Sequence, residues 1–297
     1  MGVRNGESYL GEQLRSIQQQ AHRGWSLVAS DDGSSDRSVE IVQQFAGSCA
    51  SPVVVRSGPR AGFSENFMSL ARNEELRADY FAFSDQDDIW YADKLDRAIR
   101  WLESVSSEIP AIYCSRAELV DGGGRHIGFS PLFKKPPSFQ HALVQNIASG
   151  NTMVFNNSAK RLFEITPRFK VNSHDWWGYQ IVTGVGGSVF YDPKPTIKYR
   201  QHGKNAVGLE TTLRSRWARI RAMFAGGLSA LMDSNVQALQ ASRSHLASTS
   251  QAVLDDFAAA RNAPLASRLY RLWKSGVYRQ TLPSTCTLWL AAIARRL

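Results

Sequence analysis

The sequence predicts an α/β protein built on a doubly wound, mainly parallel sheet, and three observations carry that prediction. Short apolar runs alternate with segments of helical periodicity through the first hundred residues. Two of those runs end directly in acidic turns, Asp31-Asp32-Gly33-Ser34-Ser35-Asp36 and Asp85-Gln86-Asp87-Asp88. Ligands bind such sheets beyond the carboxyl ends of the strands, where these turns fall. The 297 residues are 43% hydrophobic, enough to build one large domain or two modest ones.

Each element follows from its pattern. Leu10, Leu14 and Ile17 recur at i, i+4 and i+7 and predict an amphipathic helix. Residues 25–30 read as a buried strand, and the turn after them is rich in helix-capping side chains. Val39, Val42 and Phe45 give the next helix its face. Residues 52–56 form a second strand, followed by a helix through Phe67, Leu70 and Ala71. Residues 80–84 form a third strand, and Leu95, Ala98, Ile99 and Leu102 mark the helix beyond it. The second half is less regular. Strands are predicted over 111–115, 150–155, 188–191 and 196–200, with a hairpin over Gly122-Gly123-Gly124 and a helix opened by His174. Beyond Gly208 the pattern is helical, which divides the chain into a domain at 1–208 and a helical region at 209–297.

Charge follows the same division. Residues 1–208 hold 23 Lys and Arg against 22 Asp and Glu, whereas residues 209–297 hold 12 against 4, and 11 of those 12 cations are arginine. A uniformly basic nucleic-acid binder has no such asymmetry, and no nucleic-acid recognition motif is present. Cys49, Cys114 and Cys286 are odd in number and far apart, which excludes a disulfide framework or a zinc ribbon and suits a reducing cytosol. No basic segment followed by an apolar one opens the chain, so no signal peptide is expected. The apolar stretch at 288–294 falls far short of the roughly 20 residues of a spanning helix.

The acidic turns are the candidate chemistry. Asp85 and Asp87, one residue apart at a strand end, can address a hard divalent cation that in turn bridges a diphosphate. Taken alone, the same residues equally describe a solvated turn. Asp31 and Asp32 can hydrogen-bond a nucleobase and ribose, or simply cap a strand-to-helix turn.

Together with Asn5-Gly6-Glu7 and Ile89-Trp90, these turns resemble a family 2 glycosyltransferase of the GT-A fold. The motifs 146–153, His174-Asp175-Trp176-Trp177 and Tyr199-Arg200-Gln201-His202, which continues to Gly208, are similar to those of bacterial rhamnosyltransferases. Five motifs fall in order over residues 5 to about 208. The resemblance implies that Asp31 and Asp32 contact the base and ribose of a nucleotide-sugar. It implies that Asp87 and His202 address Mg²⁺ or Mn²⁺, with Asp85 beside the ribose or metal. It makes Asp175 the general base. Trp176 and Trp177 would wall that base and offer faces to sugar C–H groups, unless they are core. Arg200 would pair with a phosphate or a surface carboxylate. Gly62-Phe63-Ser64-Glu65-Asn66-Phe67 resembles the loop and helix start that line the nucleotide site.

The expected function is metal-dependent, inverting transfer of L-rhamnose from dTDP-L-rhamnose to a polysaccharide or lipid-linked oligosaccharide. A UDP- or GDP-sugar donor, or a non-catalytic remnant, are the alternatives. The remnant reading arises because family members begin with a buried apolar strand, while this chain starts Met1-Gly2-Val3-Arg4-Asn5-Gly6 and keeps only the turn. The expectation is a start further upstream. In the helical region, Arg214, Arg216, Arg219 and Arg221 accompany Trp217, Ile220, Met223 and Phe224. Arg268, Arg271, Lys274 and Arg279 accompany Leu269, Leu272, Trp273 and Tyr278. Such basic amphipathic segments suit an anionic membrane surface at the cytoplasmic face, or else pack as a helical subdomain or a dimer contact.

Overall fold

β1 (Gly2–Val3), β2 (Leu27–Asp31) and β3 (Val53–Ser57) form a parallel sheet in the order β1-β2-β3. Its register sets Val3 opposite Asp31 and Asp31 opposite Ser57, so the first acidic turn leaves the sheet at its carboxyl edge. These features belong to a computed structural model that describes residues 1–169, 171, 173–202 and 228–297. Most of the apolar residues read as helix faces are buried, while Val39, Phe45, Leu70 and Ile99 are partly so. In α1 (Leu10–Gln18) the buried ones are Leu10, Leu14 and Ile17, and in α2 (Ser38–Ser48) Val42. In α3 (Phe63–Ala71) Phe67 and Ala71 are buried, and in α4 (Lys94–Leu102) Leu95, Ala98 and Leu102.

A second sheet runs β10-β6-β9-β4, from β4 (Tyr80–Ala82), β6 (Ala111–Ser115), β9 (Val154–Asn156) and β10 (Ser188–Asp192). β6 and β10 are parallel, whereas β9 lies antiparallel between β6 and β4, a reversal the apolar pattern does not reveal. The amide of Gly2 donates to Ser84 O (3.2 Å), which brings the β1 edge against the chain leaving β4. Both acidic turns therefore emerge side by side. A smaller sheet, β5-β11-β7-β8, uses β5 (Ile89–Trp90), β7 (Glu118–Val120), β8 (His126–Phe129) and β11 (Ile197–Arg200). The expected glycine hairpin is its β7–β8 turn.

The N-terminal strand differs from expectation. Two residues of it are present in β1, and the Met1 amino group is buried, donating to Val28 O at 2.8 Å. Burial pushes that amine down to about 5.

The remaining helices are α5 (Phe139–Ala142), α6 (Asn157–Ile165), α7 (His174–Gly184), α8 (Leu228–Ala241), α9 (Ser248–Asn262), α10 (Leu265–Ser275) and α11 (Leu282–Ile293). Val236, Leu239, Leu254, Phe257, Leu272 and Leu288 join the same buried cluster as Met153, Phe155 and Trp177. The C-terminal helices thus share a core with the sheet. The boundary at 208 and the segment Arg214 to Phe224 lie outside the described residues. Of the four later cations read as a basic face, two are used internally. Arg268 is buried and donates to Ala292 O (2.8 Å) and Ala263 O (2.6 Å), while Arg279 donates to Val144 O (3.2 Å). The other two, Arg271 (3.4 Å) and Lys274 (2.9 Å), pair with Asp256.

Candidate active site

One cavity of about 500 Å³ lies beyond the strand ends. Asp32, Asp85, Asp87 and Asp175 line it, together with Phe63, Asn66, Ser149, Gly150, Asn151 and His174. The chain brings them there by three routes. Asp32 opens the turn after β2, Asp85 and Asp87 follow β4, and Asp175 sits in the first turn of α7.

Asp32 is buried. One carboxylate oxygen accepts from the Gly62 amide (2.9 Å) and faces Arg4 at 3.8 Å, while Oδ1 is left without a hydrogen-bond partner. A buried acceptor with a free oxygen in a cavity wall is a place for a ligand donor. Asp31, by contrast, is not in the wall. Its carboxylate accepts from the amides of Gly33 and Ser34, both 3.2 Å from Oδ2, and holds the turn.

The second acidic turn concentrates charge. Burial, then the neighbouring Asp87 and Asp175 carboxylates, push Asp85 up to about 7. Burial also holds Asp88 well above the usual carboxylate range, against the Asn151 amide that donates to it at 2.7 Å. Asp87 Oδ2 accepts from His202 Nε2 at 2.8 Å, and the His202 ring stacks on Tyr9 with centroids 4.9 Å apart. Among the described residues no group of three or more His, Cys, Asp or Glu side chains is arranged to hold a metal by itself. The donor set nevertheless fits Mg²⁺ or Mn²⁺. Such ions take few protein ligands and complete their shell with water and substrate phosphate, and Asp85 and Asp87 supply hard oxygen beside an imidazole.

Asp175 is held on both oxygens. The Gly150 amide donates to Oδ2 (2.9 Å), the Trp176 amide to Oδ1 (2.6 Å), and the Ser173 hydroxyl also to Oδ1. Gly150 has little room to be anything else: a Cβ there would come within 2.6 Å of His174 Nε2.

Two expectations change on contact with the geometry. Trp176 and Trp177 belong to the core and not to the cavity wall: Trp176 donates through Nε1 to Ala142 O (2.6 Å), and Trp177 is wholly enclosed. Their position in the first turns of α7 turns them inward while Asp175 faces the cavity. Of the two partners expected for Arg200, a phosphate or a surface carboxylate, it takes the carboxylate, but from a buried position. It is 2% exposed, and its guanidinium donates to Asp87 O (3.0 Å), to Gly122 O (2.9 Å) and to Glu12. It also lies 4.6 Å from the Tyr9 ring and props the second acidic turn through Asp87 O.

Residue type alone did not single out Lys94. It is fully buried, donates to Asn151 O (2.5 Å) and lies 3.7 Å over the Trp90 ring. Burial lowers it to about 7, with Asp88 and Asp85 opposing. Through Asn151 it ties the second acidic turn to the Ser149-Gly150-Asn151 turn that holds Asp175. The basic position in the first turn of a helix, where cations are disfavoured, was the available signal.

A sheet with nucleotide-type turns at its carboxyl edge and a carboxylate cluster in one cavity defines a GT-A glycosyltransferase, and solved structures agree on the fold. S. aureus TarS in complex with UDP-GlcNAc aligns over 93% of this chain and 91% of its own with a TM-score of 0.53 at 14% identity. The Pyrobaculum calidifontis mannosyltransferase PcManGT, in complex with GDP-Man and Mn²⁺, aligns over 99% and 84% with a TM-score of 0.52 at 15% identity. The family model "Glycosyl transferase family 2" matches residues 1–163. The dTDP-rhamnosyl transferase RfbG of Shigella flexneri is 32% identical over 241 residues, 74% of this chain and 78% of its own. The chain belongs to glycosyl transferase family 2 and is a glycosyltransferase.

Proposed function

We propose that the protein transfers L-rhamnose from dTDP-L-rhamnose to a hydroxyl of a polysaccharide or lipid-linked oligosaccharide, with inversion at the anomeric carbon. The observation that carries this reading is the convergence of Asp32, Asp85, Asp87 and Asp175 on one cavity. The likeness to RfbG over three quarters of the chain supports the donor. Asp32, with its free oxygen, receives the ribose or base. Asp87 and His202 would hold a divalent cation, with Asp85 beside it. Bound there, a cation would supply positive charge to offset that growing on the departing diphosphate, without proton transfer.

Asp175 acts as general base. It takes the proton of the acceptor hydroxyl as that oxygen bonds to the anomeric carbon. The bond from that carbon to the diphosphate breaks in the same displacement, and its electron pair leaves with the nucleoside diphosphate. The Gly150 and Trp176 amides, with the Ser173 hydroxyl, fix the carboxylate's orientation before the substrate arrives. No described helix is long and apolar enough to cross a membrane.

Thermal unfolding with dTDP, UDP and GDP, each with and without Mn²⁺, tests this. A nucleotide at about a hundred times its Kd adds roughly 2.7 kcal/mol, several degrees for a chain of this size. The expected result is a Mn²⁺-dependent rise with dTDP that Asp87→Ala abolishes. A larger rise with UDP or GDP would move the donor. No shift with any nucleotide would overturn the reading.

A further inference from the structure

α11 contains no charged residue between Leu282 and Ile293. Its inner face, Leu288, Ala291 and Ala292, is buried in the shared core. Its outer face should then be polar, as on most surface helices, but it is not. Leu282, Cys286, Leu290 and Ile293 follow one another at four, four and three residues along one side, and all are exposed, Leu282 at 76%, Leu290 at 55% and Ile293 at 50%. The helix carries only the hydroxyls of Ser284, Thr285 and Thr287 as polar side chains, and an exposed apolar stripe on an uncharged helix needs a cover.

The surroundings indicate which cover. Gln280, one residue before the Thr281 cap, accepts from the amides of Lys134 (3.0 Å) and Lys135 (2.9 Å) and donates to Lys135 O (3.0 Å). On that loop Leu132 and Lys134 are exposed, while Pro131 and Phe133 line the cavity. The other end of α11 runs into exposed Arg295 and Arg296. Neither α11 nor residues 130–138 contain an acidic side chain. The apolar stripe is thus bracketed by cations at both ends and adjoins a loop of the cavity wall at one of them. A two-fold contact with a second copy through this face would set those cations against one another with no acid on either surface to offset them. An anionic surface has the complementary charge.

We propose that α11 and the 130–135 loop lie against an anionic lipid bilayer. The stripe enters the boundary between headgroups and acyl chains, and Lys134, Arg295 and Arg296 meet the phosphates. The cavity wall at Pro131 and Phe133 then lies near headgroup level, within reach of an acceptor glycan carried on a lipid. Only this last clause rests on the glycosyltransferase function proposed above.

Flotation of the full chain with two kinds of vesicle tests the surface, one of equal parts phosphatidylglycerol and phosphatidylcholine, the other of phosphatidylcholine alone. The chain should float with the first and far less with the second. The pair Arg295→Ala and Arg296→Ala should weaken binding about fivefold for each charge removed. Leu290→Glu with Ile293→Glu should abolish binding while leaving the circular dichroism spectrum and Tm unchanged, since both side chains are exposed. Wild-type protein that stays with the soluble fraction, or glutamate variants that still float, would overturn the proposal. So would a dimer, seen by light scattering, that the glutamates split. The nucleotide-dependent Tm shift, read on the same samples, reports separately on the function. A retained shift without flotation rejects only the bilayer, and flotation without a shift rejects only the donor site.

Discussion

The cavity and the C-terminal helices handle charge in opposite ways. Residues 1–208 are nearly neutral in sum, yet they place Asp85, Asp88, Lys94 and Arg200 close together below the surface. Residues 209–297 are strongly basic in sum, yet each of the described cations on α10 is matched locally, Arg271 and Lys274 by Asp256 and Arg268 by backbone carbonyls. Among what those helices leave uncovered is the apolar stripe of α11. Net charge therefore indicates neither where the electrostatic work is done nor which surface seeks a partner. Burial and pairing decide both.

The largest effect should come from the side chain proposed as the general base. Asp175→Asn keeps the shape and removes the base. It should lower kcat by about 10²- to 10⁴-fold, measured as nucleoside diphosphate release, and leave nucleotide affinity unchanged. Equal losses of kcat and affinity would place Asp175 in donor binding and dissolve the contrast with Asp32.

A smaller effect compares arginines between the regions. Arg200→Met strips donors from Asp87 O and Gly122 O, and should cost about 1–3 kcal/mol by denaturant unfolding. Arg271→Met loses a half-exposed ion pair with Asp256 and should cost no more than about 1 kcal/mol. Similar losses for the two would mean that the two regions do not differ in how charge supports the fold.

The sequence made the strand ends legible because strands and helices announce themselves by short-range periodicity, and Asp32, Asp85, Asp87 and Asp175 stand at element boundaries. The partners of those residues were not legible. Lys94 meets Asn151 across 57 positions and Arg200 meets Glu12 across 188, and no local pattern encodes such pairings. The same limit applies to Trp176 and Trp177. An aromatic pair beside a catalytic-type aspartate reads alike whether it walls a sugar or fills a core, and only the packing of α7 on Ala142 and its neighbours separates the two. The antiparallel β9 was hidden for a related reason: an apolar run carries no direction.

The smallest effect concerns the seam where the two regions meet. His141 on α5 packs between Tyr179 of α7 and Tyr278 before α11, with ring centroids 5.9 and 5.3 Å away. Its Nδ1 is 3.0 Å from the Tyr179 hydroxyl and its Nε2 3.3 Å from Gln145 Oε1, while Lys135 and Arg279 add positive charge nearby. Burial, aided by those cations, lowers its pKa from about 6.5 to about 4. The folded value lies below the unfolded one, so between them the unfolded chain binds more protons. Stability therefore rises with pH across this window and is lost as pH falls from about 6.5 towards 4. The contribution of one such group is at most about 1.4 kcal/mol per pH unit. His174, lowered to about 4 by its own burial, adds a slope of the same sign from the cavity side. Urea unfolding between pH 4 and 7 should show His141→Gln with a shallower acid slope than wild type, whatever its absolute stability. An unchanged slope would put the acid sensitivity in the cavity alone and leave the seam indifferent to pH.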